Sequence, residues 1–279
     1  MNAPAAMALL SVACLWVSNA RAQVQLVPDR ELQRVFAGEA RKITVVWHNA
    51  GDQAARTEIH ARRSQTSSAT AVPLTEKLWK RLEVLPGQTI LESATLDFPD
   101  VKSETRFLIQ WLEGTNRVIG RTDVLVYPTN LLAELKTLMG EGVLGVLDPS
   151  NELKPLLKQN GVGFVDLGET ALEDFQGRLA IIGPFQSKAQ MRQALAQDIH
   201  RIARRGAAVV WICPSPGPGN QIQPSFYVVP EGKGAVVVIQ PALVATPDEN
   251  PQSQLNLVYF CKLALNPEPF SLPDFTRQP

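Results

Sequence analysis

A chain of 279 residues is long enough for two domains of ordinary size, each burying its own core. Its 27 Lys+Arg balance 27 Asp+Glu, which excludes a strongly basic chain, so nothing points to nucleic acid or to an anionic membrane surface as partner. An apolar share of 45% belongs to a folded globular chain rather than a disordered one.

The first predicted element is an export signal. Residues 5–17 are apolar but too few to span a bilayer comfortably, and Asn19-Ala20-Arg21-Ala22 follows them. Ala20 and Ala22 give the small-x-small pattern that signal peptidase accepts, so 1–22 reads as a signal peptide and Gln23 as the first mature residue. A lipoprotein site at Ser11-Val12-Ala13-Cys14 is the alternative. The apolar run continues past Cys14, however, and the usual Leu is missing. The expected location is periplasmic or extracellular, with no membrane span in the mature chain. Cys213 and Cys261 then remain, which is no disulfide framework; each lies in an apolar element and reads as a buried thiol, with a single bridge between them as the alternative.

From Val24 to Tyr127 the apolar residues recur with period two. Strands are expected over 41–49, 57–63, 78–85, 89–97, 105–112 and 117–127. Turn chemistry separates them: Asn49-Ala50-Gly51-Asp52, Pro86-Gly87, and the hairpin Glu113-Gly114-Thr115-Asn116. Short strands at this spacing without a helix predict an all-β, immunoglobulin-like sandwich over 23–128. Trp47, Trp79 and Trp111 are expected in its core, with a sugar-binding platform as the other reading. His48 and His60 have no second ligand at useful spacing, so no metal site is expected.

After Tyr127-Pro128 the period changes. Asn130 is expected to cap a helix over 131–138, and Ser150 one that ends at Asn160-Gly161. Strands are expected over 142–147, 163–167, 178–182, 207–212 and 235–239. A long helix is expected to open at Ser187 and end at Gly206, and a last one to cover 253–265. Alternation of this kind predicts a doubly wound, mostly parallel α/β domain over 129–279.

Ligands bind such sheets beyond the carboxyl ends of the strands. That edge would carry Asp148, Asp166, Gln186, Cys213, Ser215 and Asn220, the candidate binding residues. Asp148 and Asp166 could serve as acid and base on a glycoside, although Asp148 before Pro149 reads first as a turn or helix-cap residue. Gly140-x-Gly142-x-x-Gly145 precedes a strand instead of linking strand to helix. No nucleotide loop and no cofactor is therefore expected.

The stretch 178–239 resembles the class I glutamine amidotransferase-like fold, including non-catalytic versions attached to secreted carbohydrate enzymes. The order of parts carries the likeness. A strand ends Ile181-Ile182-Gly183-Pro184, a helix follows, then Gly206-Ala-Ala-Val-Val-Trp-Ile-Cys213, and later Gly232-Lys-Gly-Ala-Val-Val-Val-Ile239. Active members of that family carry Gly-Ile-Cys-x-Gly, with the Cys on a tight elbow. Here Trp211 and Ser215 replace the glycines, and Pro214 removes a backbone donor. The histidines His48, His60 and His200 all precede Cys213, and Asn266-Pro267-Glu268 lacks the family's late His-x-Glu. The resemblance thus implies a non-catalytic version, and no catalytic residue is assigned. The expectation is an exported binding or assembly protein of the cell envelope, linked to carbohydrate processing, with a protein or a carbohydrate as partner. The alternative is a hydrolase of carbohydrate or amide substrates at the strand-end edge.

Overall fold

The computed structural model describes residues 24–29, 32–66, 70–185, 187–213 and 225–267. The expected signal peptide, with Gln186, Ser215 and Asn220, lies outside the described residues. The chain is mostly β, arranged in several sheets, two of which combine parallel and antiparallel neighbours.

Eight strands come first: β1 (Val24–Val27), β2 (Gln33–Phe36), β3 (Gly38–Asn49), β4 (Ala55–Thr66), β5 (Ala71–Val84), β6 (Thr89–Phe98), β7 (Thr105–Glu113) and β8 (Arg117–Tyr127). They make a three-stranded sheet, β1-β3-β6, and a five-stranded sheet, β2-β8-β7-β4-β5. β2 runs parallel to β8, and the other neighbours are antiparallel.

Alternation builds the core between these sheets. β3 turns Ile43, Val45 and Trp47 inward, β7 turns Phe107, Ile109 and Trp111 inward, and all six are buried. Trp47, Trp79 and Trp111 pack together with ring centroids 5.1–6.0 Å apart, as expected for core indoles. The Trp111 Nε1–H donates to Thr122 Oγ1 at 2.9 Å, so one buried donor is satisfied inside the core. β1 and β2 escaped the periodicity because four residues each are too few to register one.

The second half builds one sheet from β9 (Leu144–Leu147), β10 (Val165–Asp166), β11 (Leu179–Ile182), β12 (Ala208–Ile212), β13 (Phe226–Glu231) and β14 (Gly234–Ile239). Its order is β10-β9-β11-β12-β14-β13, parallel except for β13 at one edge. Four helices accompany it: α1 (Glu134–Met139), α2 (Leu153–Gln159), α3 (Leu195–Arg205) and α4 (Pro251–Leu265).

Both faces of this sheet are covered. Val146, Ile181, Val210 and Val237 pack with Leu135, Leu157 and Leu257 of α1, α2 and α4. Ala180, Val209 and Val236 face the other way, onto Ile199 and Ile202 of α3. Strands buried on both sides read as unbroken apolar runs, which is why β12 and β14 were plain in the sequence. No helix among the described residues is long and apolar enough to cross a membrane.

Three local expectations need correction. Asn130 makes no side-chain cap, and its helix begins as a 3-10 turn over Leu131–Ala133. The helix expected from Ser187 is a 3-10 turn over Lys188–Gln190, and α3 starts only at Leu195. Met191 keeps the apolar spacing and touches the core, but spacing does not show where a hydrogen-bond ladder begins. The helix assigned to a Ser150 cap is capped by Asp148 instead.

Candidate functional site

The chain leaves β9 for β10 on one side, then returns to β11 on the other. Their carboxyl ends therefore flank a topological switch point, where open α/β sheets place ligands. Asp148 follows β9 there, and Gly183-Pro184, joined by a cis peptide, follows β11. Ser150 Oγ donates to the Pro184 carbonyl at 3.1 Å and ties the two loops together.

Asp148 is buried, at 3% exposure. Its Oδ2 accepts the backbone N–H of Leu153 at 2.7 Å and of Lys154 at 2.9 Å, two donors that the first turn of α2 leaves without helical partners. A carboxylate there also meets the positive end of the helix. Oδ1 is buried and has no hydrogen-bond partner among the described residues.

Asp166 closes β10, beside Val146 of β9. Its Oδ2 takes the Lys154 ammonium at 2.6 Å and its Oδ1 the Gly168 N–H at 2.8 Å. The Lys154 hydrogen bond is the main cause that holds its carboxyl below the usual range. Lys154 thus engages both candidate carboxylates, one through its backbone and one through its side chain.

A glycosidase acid needs its pKa raised, and Asp166 is displaced the other way, so of the two roles in such a pair Asp166 fits the base and not the acid. Lys154 had no signal in the sequence, because its role comes from the turn between β9 and α2, not from any spacing.

Cys213 stands immediately after β12. Its N–H donates to the Ile239 carbonyl at 3.0 Å, and its half-buried side chain packs against the core under α3. Cys261, on α4, is buried. Both remain thiols.

His200 is far from Cys213 by topology. Its Nδ1 lies 2.9 Å from Glu231 Oε1, and Glu231 also takes Arg204 Nε at 3.0 Å. The Arg204 hydrogen bond is the main cause that lowers the Glu231 carboxyl. Glu231 pairs with Gly234 at the start of β14, whereas Cys213 binds Ile239 at its end. Five strand residues at about 3.3 Å each separate the two ends by roughly 16 Å. A catalytic pair needs hydrogen-bond reach.

The structure therefore gathers Asp148 and Asp166 around the start of α2 and sets Cys213 further along the same sheet edge. His200 stands at the opposite end, and His48 and His60 lie on β3 and β4. No group of three or more His, Cys, Asp and Glu suited to a metal ion occurs among the described residues.

No family model and no curated protein matches this chain. Several solved structures are similar in part. One is an alkylpurine DNA glycosylase of Pseudomonas fluorescens, at 12% identity over 38% of this chain and 31% of that one, with a TM-score of 0.30. Another is a β-glucosidase of Listeria innocua, at 14% identity over 37% of this chain and 16% of that one, with a TM-score of 0.28. A GH3 β-glucosidase of Bifidobacterium adolescentis gives 13% over 37% and 17%, at 0.25. The chain spans less than a third of each of these proteins. Similarity at this level carries no argument about function.

Proposed function

We propose that the chain is an exported, non-catalytic binding or assembly protein of the cell envelope, linked to carbohydrate processing. In this reading 23–128 is an immunoglobulin-like sandwich and 129–279 an amidotransferase-like α/β domain. The carrying observation is the separation of His200 from Cys213: His200 is held by Glu231 beside the start of β14, whereas Cys213 binds Ile239 at its end. A histidine placed there does not serve as base for that thiol.

Two features of the fold support the domain assignment. A three-stranded and a five-stranded sheet, with β2 parallel to β8 at one margin, suit an immunoglobulin-like arrangement. The order β10-β9-β11-β12-β14, all parallel, suits a doubly wound unit with a cysteine ending one central strand. The export reading rests on the apolar run and Ala20-Arg21-Ala22.

One observation favours the hydrolase alternative: Asp148 keeps a buried oxygen without a partner among the described residues, at the edge where ligands bind. A two-part experiment separates the readings. The full chain is assayed on p-nitrophenyl glycosides and on glutamine, and the native protein is cross-linked in envelope fractions. We expect no turnover, a chain beginning at Gln23, and cross-linked partners in the envelope. Turnover that disappears in Asp148→Asn or Cys213→Ala establishes the hydrolase instead. A cytoplasmic chain that retains Met1 overturns export.

A further inference from the structure

Between the two sheets of the first region lies an open side, bounded by the edge strands β5 and β6, which belong to different sheets. A cleft of about 150 Å³ opens there, lined by Arg63, Thr75, Lys77, Trp79, Thr95 and Asp97 among others.

Arg63 is out of place by the logic of its strand. It pairs with Ile109 of β7, and Ala61, two residues before, pairs with Trp111. Ile109, Trp111 and Ala61 are buried between the sheets, so alternation directs Arg63 there too. Its guanidinium lies over the Phe98 ring, 5.7 Å from the centroid. Nε is buried without a hydrogen-bond partner among the described residues, and desolvation is the main cause lowering the pKa of the guanidinium. An inward guanidinium with five donors and this little engagement is short of an acceptor.

The surrounding charge points the same way. Asp97 is the carboxylate of the cleft, and its Oδ1 already accepts the Ala40 N–H at 3.1 Å. Lys77 Nζ stands 3.9 Å from Asp97 Oδ2, the outer limit of an ion pair, with both side chains exposed. Two cations therefore share one carboxylate, which leaves a net positive cleft.

An extended peptide is the wrong occupant. β5 turns Lys77 and Lys80 inward toward β6, where Lys80 meets Glu92 at 2.7 Å. It carries Pro73, and its register against β4 shifts twice. Inward charges, proline and bulges are the devices by which an edge strand resists another strand. The space suits one ring or one side chain, and Trp79 with the neighbouring threonines offers an apolar wall beside hydroxyls.

We propose that this cleft binds a single hexuronic acid unit, its carboxylate on Arg63 and Lys77 and its ring against Trp79. Arg63 supplies the planar fork that a carboxylate fits, and Lys77 a second charge. The inference rests on the binding reading above and gives it a ligand class. Its failure is distinguishable, because envelope cross-linking does not depend on the cleft being filled.

The test titrates the full chain with glucuronate, glucose and N-acetylglutamate, read by tryptophan fluorescence and by backbone NMR shifts of Arg63, Thr75 and Lys77. Glucuronate is expected to bind and to move those three signals, with glucose about tenfold weaker for want of the charged hydrogen bonds. N-acetylglutamate should bind more weakly than glucuronate. Arg63→Met should lose binding about tenfold, and Lys77→Ala, at an exposed position, should lose less while folding normally. Arg63→Lys should recover only part of the loss, because the fork is gone. No saturable binding of glucuronate overturns the proposal, as does equal binding by Lys77→Ala and the parent chain. Tighter binding of N-acetylglutamate than of glucuronate overturns it in favour of an acidic polypeptide side chain.

Discussion

The two-sheet region and the mixed-sheet region bury their cores in opposite ways. Each sheet of the first has one dry face and one wet face. The outer face of the β4–β5 ladder carries directly opposed pairs, Arg56–Glu83, Glu58–Arg81 and Arg62–Glu76. Such exposed pairs contribute little each, but they mark which face stays in water. The sheet of the second region is dry on both faces, and its charges lie at the rim, as with Lys154–Asp166, Arg204–Glu231 and Lys262–Glu134. Chemistry in the first region is therefore confined to a sheet face or the open side, and in the second to the ends of strands.

The largest effect would come from attacking each core separately. Trp111→Ala removes a fully buried indole and its hydrogen bond to Thr122, and should cost about 3–5 kcal/mol. Ile181→Ala in the centre of the mixed sheet should cost about 2–5 kcal/mol. If the regions are independent, calorimetry shows two transitions and each variant lowers one. A single transition lowered by both variants would break the comparison, making the regions one cooperative unit.

Next in size comes the contrast between the thiols. Cys261 is fully buried among the α4 contacts, and desolvation pushes its thiol well above the ordinary range. Cys261→Ser should cost about 1–3 kcal/mol, because the buried hydroxyl must find a partner. Iodoacetamide should label Cys213, half-buried at the strand end, faster than Cys261, and Cys261 only once the protein unfolds. Equal labelling in the folded protein would mean that α4 does not pack as described.

How well the sequence could be read divides along the same line. Long alternating strands such as β3, β4 and β8 announced themselves, because one wet face leaves a polar residue at every second position. β12 and β14 were legible as unbroken apolar runs. β13 was not seen. Phe226-Tyr227-Val228-Val229-Pro230-Glu231 neither alternates cleanly nor stays apolar, and Pro230 argued against a strand that turns out to lie at an edge. At the candidate site, Asp148 was visible as a helix-cap residue, since its type and the following Pro149 carry that signal. Its link to Asp166 was not, because Lys154 joins them only after β9 and β10 pair. Alternation with Ile59 and Ala61 puts Arg63 on the inward face of β4, but nothing in the sequence marks it as the wall of a cleft. The register against Ile109 and the open side beside β6 do that.

Asp148 allows a smaller test of how the strand-end edge is held. Asp148→Ala strips the acceptor from the Leu153 and Lys154 N–H groups and should cost about 1–2 kcal/mol, in the range of a lost N-cap. Asp148→Asn keeps one oxygen for the same donors and should cost less than the alanine variant. Chemical denaturation of the two variants gives the comparison. If asparagine proves as damaging as alanine, the negative charge matters more than the cap hydrogen bonds, and the edge is tuned electrostatically.

The smallest expected effect is on pH dependence, and it separates the regions by sign. Asp166 and Glu231, both in the mixed-sheet region, have carboxyls lowered below 3.8 and 4.5, chiefly by Lys154 and Arg204. A group with a depressed folded pKa contributes stability that is full above its unfolded value and is lost as pH falls through its folded one. The mixed-sheet transition should therefore weaken as pH drops from about 5 toward 3, only modestly, because both carboxylates are near solvent. In the two-sheet region the shifted acid is Tyr127, pushed up to about 12 first by burial and then by the hydrogen bond it donates to Glu104 at 2.6 Å. A raised pKa works the other way: its contribution is full below pH 10 and is lost as pH rises toward 12. Cys261 weakens the mixed sheet on that alkaline side as well, so Cys261→Ala is the background for the measurement. In that background the mixed-sheet transition should be acid-sensitive, and Lys154→Met should flatten its acid slope. The two-sheet transition should be alkali-sensitive, and Tyr127→Phe should flatten its alkaline slope. Melting temperatures measured from pH 3 to 11 decide the matter. An acid slope left unchanged by Lys154→Met would mean that the Asp166 ion pair contributes nothing measurable to the fold.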